Sequence, residues 1–328
     1  MKNKKTLLMM ALLSNLLIAM TGCNKSSTIT IGILQPVEHD ALSAARLGFI
    51  EGLKEEGFID GKNIKIIYQN ANGVASEQSS LAKSLTSKCD LTLGIGTGAA
   101  QSLQSAQINS GSSKPILFTA VTDPVFAKLV ESNEHPGGFV TGTSDANPVA
   151  EQINLMIECV PNIDKIGIMY TQSETNSEVQ ALQAKKTAEE KGIEVVIETC
   201  TDSTDINTVA NHLCETNGLD AIYIPTDNNI ATNMNAIKLA TDRNHVLSVC
   251  GEEGLLKNGG HITLSISYKN LGIKTAKMAV DIMNGKNPKD ISVLSSSIDE
   301  CEFVVNEESL KSANITIPAS IIEKCRKI

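Results

Sequence analysis

The sequence predicts an α/β protein built from two doubly wound parallel-sheet lobes, joined by a hinge that the chain crosses several times. Three observations favour this fold class. The chain has 328 residues, a length that suits two domains. Hydrophobic residues make up 41% of it, which is enough to fill sizeable cores. Short apolar runs alternate with stretches of helical spacing, and this alternation occurs twice, as in parallel sheets covered by helices on both faces.

The first half of the chain opens with a β-branched run over residues 28–34, which predicts a strand. Leu42, Phe49 and Leu53 follow at helical spacing, and Gly57 ends that helix. The alternation continues with strands at about 64–68, 91–95 and 115–120 and with helices at about 76–87 and 98–106. These elements predict a first lobe over residues 29–121.

The pattern restarts with a helix that has Val149, Ile153 and Met156 on one face. Strands are predicted at about 165–170, 193–198, 221–224, 246–249 and 262–266, with helices between them, and the last strands near 291–294 and 303–305. The second half therefore extends beyond a simple repeat of the first. We expect the chain to cross back, so that the first lobe also takes about 265–290 and the second lobe comprises 122–264 plus about 291–328.

The N-terminus has the features of a secretory leader. Lys2, Lys4 and Lys5 precede an apolar stretch over 7–20, which is shorter than the roughly 20 residues of a membrane-spanning helix. Residues 18–23 resemble a bacterial lipobox that ends at Cys23. We predict a signal peptide over 1–22, lipidation of Cys23 and a tether over 23–28, which would hold the protein on the extracytoplasmic face of the cell membrane. The alternative is a cleaved signal with an incidental cysteine.

Composition excludes several classes of function. The formal net charge of −9 gives no reason to bind nucleic acid. The cysteines are scattered singly, without the spacing of a metal site, and we predict no metal and no cofactor. We also expect a monomer. Aromatic residues make up only 3% of the chain, so few side chains could stack on an aromatic ligand.

Polar loops follow the predicted strands in both halves. In open α/β sheets ligands bind beyond the carboxyl ends of the strands, so these loops are the candidate site. Small hydroxyls and amides there also cap helices, which is the alternative role for any one of them. Capping does not account for six such loops that could face one cleft.

The most specific of these segments, at 31–35, 118–124, 223–228 and 251–254, resemble a known family. They are similar to the type I periplasmic-binding-protein-like substrate-binding proteins of ABC importers, in the group associated with tryptophan and tyrosine uptake. The resemblance covers nearly the whole mature chain. It implies capture of a small ligand, often an aromatic amino acid, between two closing lobes and delivery to ABC permease subunits in the membrane.

Roles within that resemblance follow from what an amino acid zwitterion needs, namely donors for its carboxylate and a carboxylate for its ammonium group. Thr97 and the backbone of Gly98, at a helix start, form an anion seat. Asp227 is predicted to bind the ammonium group, with Glu252 second, and their alternatives are an N-cap and a solvated face. The other candidates are loop residues, with a hinge role as the alternative for Thr122 and Asp123: Gln35, Thr122, Asp123, Ser173, Asn176, Ser177 and Thr226.

A secreted enzyme or a sensor of the same fold is the alternative function. A hydrolase would need a nucleophile beside a base, but neither G-x-S-x-G nor H-E-x-x-H occurs. We therefore predict no enzymatic activity and interpret all five histidines, His39 included, as loop or edge residues. Ser43 stands where the family more often has Asp, which leaves open a related small amphipathic ligand.

Overall fold

The computed structural model describes residues 28–328. The predicted signal peptide over 1–22, the lipidation site Cys23 and all of the tether except its last residue lie outside the described residues. Within 28–328, no helix is both long enough and apolar enough to cross a membrane.

The described chain folds into alternating strands and helices. The strands are β1 (Ile29–Gln35), β2 (Ile64–Asn70), β3 (Leu91–Ile95), β4 (Ile116–Val121), β5 (Val140–Ser144), β6 (Lys165–Thr171), β7 (Glu194–Cys200), β8 (Ala221–Ile224), β9 (Leu247–Cys250), β10 (Ile262–Ser265), β11 (Glu302–Val305) and β12 (Arg326–Lys327). The helices are α1 (Asp40–Glu55), α2 (Ala75–Lys88), α3 (Thr97–Asn109), α4 (Val149–Cys159), α5 (Thr175–Glu190), α6 (Ile206–Cys214), α7 (Asn228–Asn244), α8 (Glu253–Lys257), α9 (Tyr268–Met283), α10 (Glu307–Ser312) and α11 (Ala319–Ile322).

These elements form two sheets. The first has the order β2-β1-β3-β4-β5, and all its neighbours are parallel. The second has the order β12-β11-β10-β9-β8-β6-β7, with β10 and β11 antiparallel and the other pairs parallel. The predicted fold class, two parallel-sheet lobes joined by several crossings, is confirmed.

Each sheet is covered on both faces, which explains why its central strands read as continuous apolar runs. In the first lobe, α1 and α9 pack on one face around Phe49, and α2 and α3 pack on the other around Phe118. In the second lobe, α4 and α5 bury Met156 on one face, while α6 and α7 bury Met234 on the other. Helices on both faces leave the strand ends as the free edges where a site can form.

Helices α1 and α9 lie unusually close because glycines face the contact. A Cβ atom added to Gly48 would stand 2.1 Å from the carbonyl oxygen of Lys269, and one added to Gly272 would stand 2.0 Å from that of Ala45. Neither distance is possible for a real side chain, so only glycine fits at the two positions. Helix α9, which follows the crossing after β10, is thereby fixed to α1.

The expected lobe boundary at residue 122 is wrong, because β5 pairs with β4 and extends the first sheet to Ser144. Its sequence, Val-Thr-Gly-Thr-Ser, lacks a hydrophobic pattern, and the strand was missed for that reason. Its threonines are nevertheless buried: Thr141 donates to the carbonyl oxygen of Ile291 at 2.6 Å, and Thr143 lies 2.7 Å from the hydroxyl of Thr275. Satisfied hydroxyls take the place of apolar side chains in this strand.

The expected boundary near residue 291 is also wrong. Ile291 is buried in the core of the first lobe, and Leu294 forms a single bridge with Thr143 of β5. The strand predicted near 291–294 is therefore one bridge at the edge of the first sheet. The chain crosses between lobes after β5, after β10 and between Leu294 and β11.

Candidate functional site

A small cavity lies where the carboxyl ends of the two sheets meet. Its volume is about 20 Å³, which is room for about one water molecule, so the lobes are closed on each other. Both lobes and two of the crossings contribute to its lining, which consists of His39, Ala41, Leu42, Thr97, Ala120, Thr122, Asp145, Asn176, Thr226, Asp227, Asn228, Glu252 and Tyr268.

Two threonines that line the cavity from opposite lobes have unused hydroxyl groups. Thr97 is the first residue of α3, and Thr226 follows β8; they are 4% and 7% exposed. Neither Oγ1 atom has a hydrogen-bond partner among residues 28–328. Buried polar atoms nearly always have a partner, and an exception at a cavity indicates a position that a bound molecule can fill.

Asp227 lines the cavity and is also the N-cap of α7. Its Oδ1 accepts hydrogen bonds from the backbone N–H of Ile230 and from the hydroxyl of Thr171, both at 2.9 Å, and its Oδ2 accepts the Thr171 N–H at 2.7 Å. The capping role given as the alternative is therefore present. These three bonds use most of the acceptor capacity of the carboxylate.

Glu252 is 2% exposed, so its alternative interpretation as a solvated residue is wrong. Its carboxylate accepts the backbone N–H groups of Gly254 and Leu255 at the start of α8. Burial raises its pKa to about 7, and the carboxylates of Asp40 and Glu253 add to the rise. Near neutral pH this group therefore exchanges between its charged and neutral forms.

Asp145 connects two crossings at the back of the cavity. Its Oδ1 accepts from the hydroxyl of Thr122 at 3.0 Å, and its Oδ2 accepts from the hydroxyl of Tyr268 at 2.8 Å. Burial raises the pKa of the Asp145 carboxyl, which lies inside the hinge. Thr122 thus takes part in the hinge, as its alternative role predicted, and it lines the cavity as well.

A chain of hydrogen bonds crosses the cleft. His39 Nε2, at the start of α1, lies 2.9 Å from Asn228 Oδ1, at the start of α7. Asn228 Nδ2 donates to Glu174 Oε2 at 2.7 Å, within the second lobe. Burial lowers the pKa of His39, whereas burial, followed by the charge of Asp227, raises the pKa of Glu174. His39 lies in the loop directly before α1, and its side chain joins the two lobes, a contact that the interpretation as a loop or edge residue did not include.

The lining differs between the lobes. Its apolar residues, as far as the chain is described, all come from the first lobe: Ala41, Leu42 and Ala120. Its carboxylates, Asp145, Asp227 and Glu252, come from the hinge and the second lobe. None of the lysine and arginine side chains in the described part of the protein lines it. The cavity therefore has an acidic side that a cation would compensate.

Ala120 has a left-handed backbone conformation, with φ of 56°. It lies where the pairing of β4 with β5 shifts register between Phe118 and Val121. Such a conformation is costly for a residue other than glycine and persists where the surrounding structure fixes it. Its position in the cavity lining places this strain at the candidate site.

The structure brings six predicted residues to the cavity, namely Thr97, Thr122, Asn176, Thr226, Asp227 and Glu252. The other five predicted residues are not in its lining: Gln35, Gly98, Asp123, Ser173 and Ser177. Gln35 is bonded to Val37 and Arg46, Asp123 caps the turn at Val125 and Phe126, and Ser177 donates to the Thr226 carbonyl at 2.7 Å. Gly98 and Ser173 are exposed.

Sequence reasoning missed His39, Asp145, Asn228 and Tyr268. His39 and Asn228 were within the loops considered, and their position directly before or at a helix start was the available signal. Asp145 lies in the crossing after β5 and Tyr268 starts α9, and no pattern in the sequence indicates that these two segments meet. Ser43 lies outside the cavity and donates to Glu38 at 3.1 Å, so its difference from the family's Asp acts on the loop before α1.

Residues 30–328 match the family described as ABC transporter substrate binding protein. The chain belongs to this family. Its fold is that of the type I periplasmic binding proteins. Members of the family act outside the cytoplasm, bind small molecules and work with membrane permeases.

Relatives of this substrate-binding protein include the tyrosine-binding protein of Clostridioides difficile, which is 37% identical over 286 residues, covering 87% of this chain and 81% of the relative. A solved domain from Streptococcus pneumoniae in complex with L-Trp is 32% identical, with a TM-score of 0.85 over 92% of this chain and 99% of that one. A ligand-free, open substrate binding protein with adhesive properties from Clostridium difficile is 38% identical, with a TM-score of 0.69 over 92% and 99%.

The two solved structures differ in a way that sequence identity does not explain. The open, ligand-free structure has the higher identity, yet its TM-score is 0.69 against 0.85 for the L-Trp complex. The lobes of this substrate-binding protein are thus arranged more as in the L-Trp complex than as in the open structure, which agrees with lobes that are closed on each other.

Proposed function

We propose that this substrate-binding protein captures an aromatic amino acid between its lobes and delivers it to an ABC permease, held to the extracytoplasmic face of the membrane by lipidated Cys23 and acting as a monomer. The observation that carries the proposal is the pair of buried hydroxyls without partners, on Thr97 and Thr226, which face one cavity from opposite lobes. The relatives support the ligand class, since one is a tyrosine-binding protein and another holds L-Trp.

The amino acid carboxylate would bind at the start of α3. Helix N-termini carry partial positive charge and free N–H groups, and Gly96 has no side chain with which to cap this one. The hydroxyl of Thr97 adds a donor. This assignment keeps the anion seat predicted from the sequence, with Thr97 as the side chain that lines the cavity.

The ammonium group would bind on the acidic side. Asp227, the predicted partner, already accepts three hydrogen bonds, whereas the side chains of Glu252 and Asp145 each accept two. The buried carboxylates of Glu252 and Asp145 also have raised pKa values, which a bound cation would lower. Glu252 is therefore the better ammonium partner.

Closing of the lobes would be the signal that the permease reads. A ligand that contacts both lobes favours the closed form by its difference in affinity for the two forms. Because the closed cavity here holds about one water molecule, an amino acid must enter an opened cleft and the lobes must close around it less completely.

A thermal-shift screen of the full-length protein against amino acids, nucleosides and sugars tests the proposal. We expect L-tyrosine or L-tryptophan to raise the Tm, by the equivalent of about 2.7 kcal/mol at one hundred times the Kd. Uridine and D-glucose should leave the Tm unchanged. Stabilisation by a sugar alone, or turnover of a substrate without any shift from an amino acid, would contradict it.

A further inference from the structure

The hydrogen-bond chain across the cleft fixes which nitrogen of His39 carries a proton. Asn228 Nδ2 donates to Glu174 Oε2 at 2.7 Å, an oxygen that accepts in the charged carboxylate and also in the neutral acid with its proton on Oε1. The amide oxygen is thereby directed to His39, 2.9 Å from Nε2. A carbonyl oxygen only accepts, so Nε2 must be the donor. In a neutral imidazole this leaves Nδ1 as an acceptor.

The acceptor atom of His39 is unused. His39 lines the cavity, and its buried Nδ1 has no hydrogen-bond partner within residues 28–328. Burial lowers the pKa of the ring, so the neutral form is the one to consider at neutral pH. A bound molecule that forms a hydrogen bond with Nδ1 must donate an N–H or an O–H group.

The charges around His39 select a cationic donor. The carboxylates of Asp40 and Asp227 act on the ring, and Glu252 lines the same cavity, while the nearby carboxylate of Glu38 is paired with Arg46 at 3.2 Å. No lysine or arginine from the described segment stands among the lining residues to balance them. An ammonium N–H satisfies both the unused acceptor and the unbalanced negative charge, whereas a phenol O–H satisfies only the first.

We infer that His39 determines specificity by accepting a hydrogen bond from the ligand's ammonium group through Nδ1, in the tautomer that Asn228 and Glu174 of the opposite lobe impose. This inference rests on the proposed function and adds to it a residue that recognises the ligand's ammonium group. Recognition of the ammonium group would then require closed lobes, because Asn228 fixes the His39 tautomer only while the starts of α1 and α7 are in contact.

A cycle of two protein forms and two ligands tests the inference. Calorimetry on the full-length protein compares wild type with His39→Phe, for L-tyrosine and for 3-(4-hydroxyphenyl)propanoic acid, which lacks the ammonium group. We expect the variant to lose about 10- to 100-fold more affinity for L-tyrosine than for the acid, the usual size for a charged hydrogen bond. The exposed His135 provides the control variant His135→Phe, which should bind both ligands as wild type does.

Two results are kept apart by this design. If wild type binds L-tyrosine but the variant loses equal affinity for both ligands, Nδ1 does not accept from the ammonium group and the inference is wrong while the proposed function stands. L-phenylalanine then separates two explanations: an equal loss with it means that His39 only supports the lobes, whereas no loss with it assigns Nδ1 to the phenol. If wild type does not bind L-tyrosine or L-tryptophan, the proposed function fails and the inference with it.

A measurement on wild type covers the case in which His39→Phe does not fold. Nitrogen-15 NMR of the imidazole groups distinguishes the two neutral tautomers in the L-tyrosine complex. We expect the His39 signal of a proton on Nε2 and an unprotonated Nδ1. A proton on Nδ1 would overturn the inference, because that atom could not then accept from an ammonium group.

Discussion

The two lobes present differently charged helix starts to one cleft. In the first lobe, α3 follows Gly96 and begins with Thr97, whose hydroxyl is unpaired within the described chain. In the second lobe, α7 begins after Asp227, whose own carboxylate caps it. The positive end of a helix is thus left open on one side and neutralised on the other. The comparison teaches that the cleft is polarised: the first lobe presents an uncapped helix start, and the second lobe presents the carboxylates of Asp227 and Glu252.

The largest expected effect comes from removing the N-cap of α7 in the second lobe. Asp227→Ala removes the acceptor of three buried donors, two from Thr171 and one from Ile230, and should lower the free energy of unfolding by about 3 kcal/mol. Urea unfolding measures it. The control is Ser267→Ala, an exposed cap of α9 that accepts only the Asn270 N–H and should cost about 1 kcal/mol or less. Equal losses in the two variants would show that Asp227 is no more than an ordinary cap.

The next largest effect concerns the uncapped helix start of the first lobe. Thr97→Val keeps the shape of the residue and removes a hydroxyl that has no partner in the described chain, so stability should hold while affinity for L-tyrosine falls about 10-fold. Tyramine, which lacks the carboxylate, should bind wild type and variant alike in calorimetry.

Thr86→Val is the matched control for that variant. Thr86 is also buried, but its hydroxyl donates to the Ala82 carbonyl at 2.9 Å within α2, away from the cleft. This change should lower stability and leave binding unchanged. A loss of tyramine affinity in Thr97→Val as large as that for L-tyrosine would move the anion seat away from α3.

The smallest effect is a change in proton binding on the acidic side. The pKa of Glu252 is about 7 in the closed protein, against 4.5 for a carboxyl in water, so the stability that its protonation contributes is full below about pH 4.5 and is lost as the pH rises through 7. An ammonium group beside it lowers that pKa. Binding at pH 7 should therefore release up to about half a proton per ligand.

Calorimetry in two buffers of different ionisation enthalpy measures that release. The apparent binding enthalpy should depend on the buffer at pH 7 and lose most of this dependence at pH 8, where Glu252 is largely ionised and the ligand's amino group is still protonated. Glu252→Gln should abolish the dependence at pH 7. Binding that takes up protons at pH 7 would contradict the placement of the ammonium group beside Glu252.

Sequence periodicity predicted most of the fold, because apolar runs and helical spacing record burial directly. It failed at β5, where Thr141 and Thr143 are buried by hydrogen bonds that the sequence does not reveal. In the candidate site, loop position selected Thr97, Thr226 and Glu252, which line the cavity. Loop position could not predict which residues contact each other. His39 contacts Asn228 and Asp145 contacts Tyr268, although each pair is far apart in the chain, and only the folded topology brings them together.

The glycine contact between α1 and α9 bears on how the cleft can move. Helix α1 starts at His39, α9 starts at Tyr268 beside the hinge, and no side chain separates the two axes at Gly48 and Gly272. Because both helix starts line the cavity and the two helices touch at these glycines, we expect them to move as one body when the lobes open. A bulkier residue at either glycine should separate the two helices and displace His39 from Tyr268.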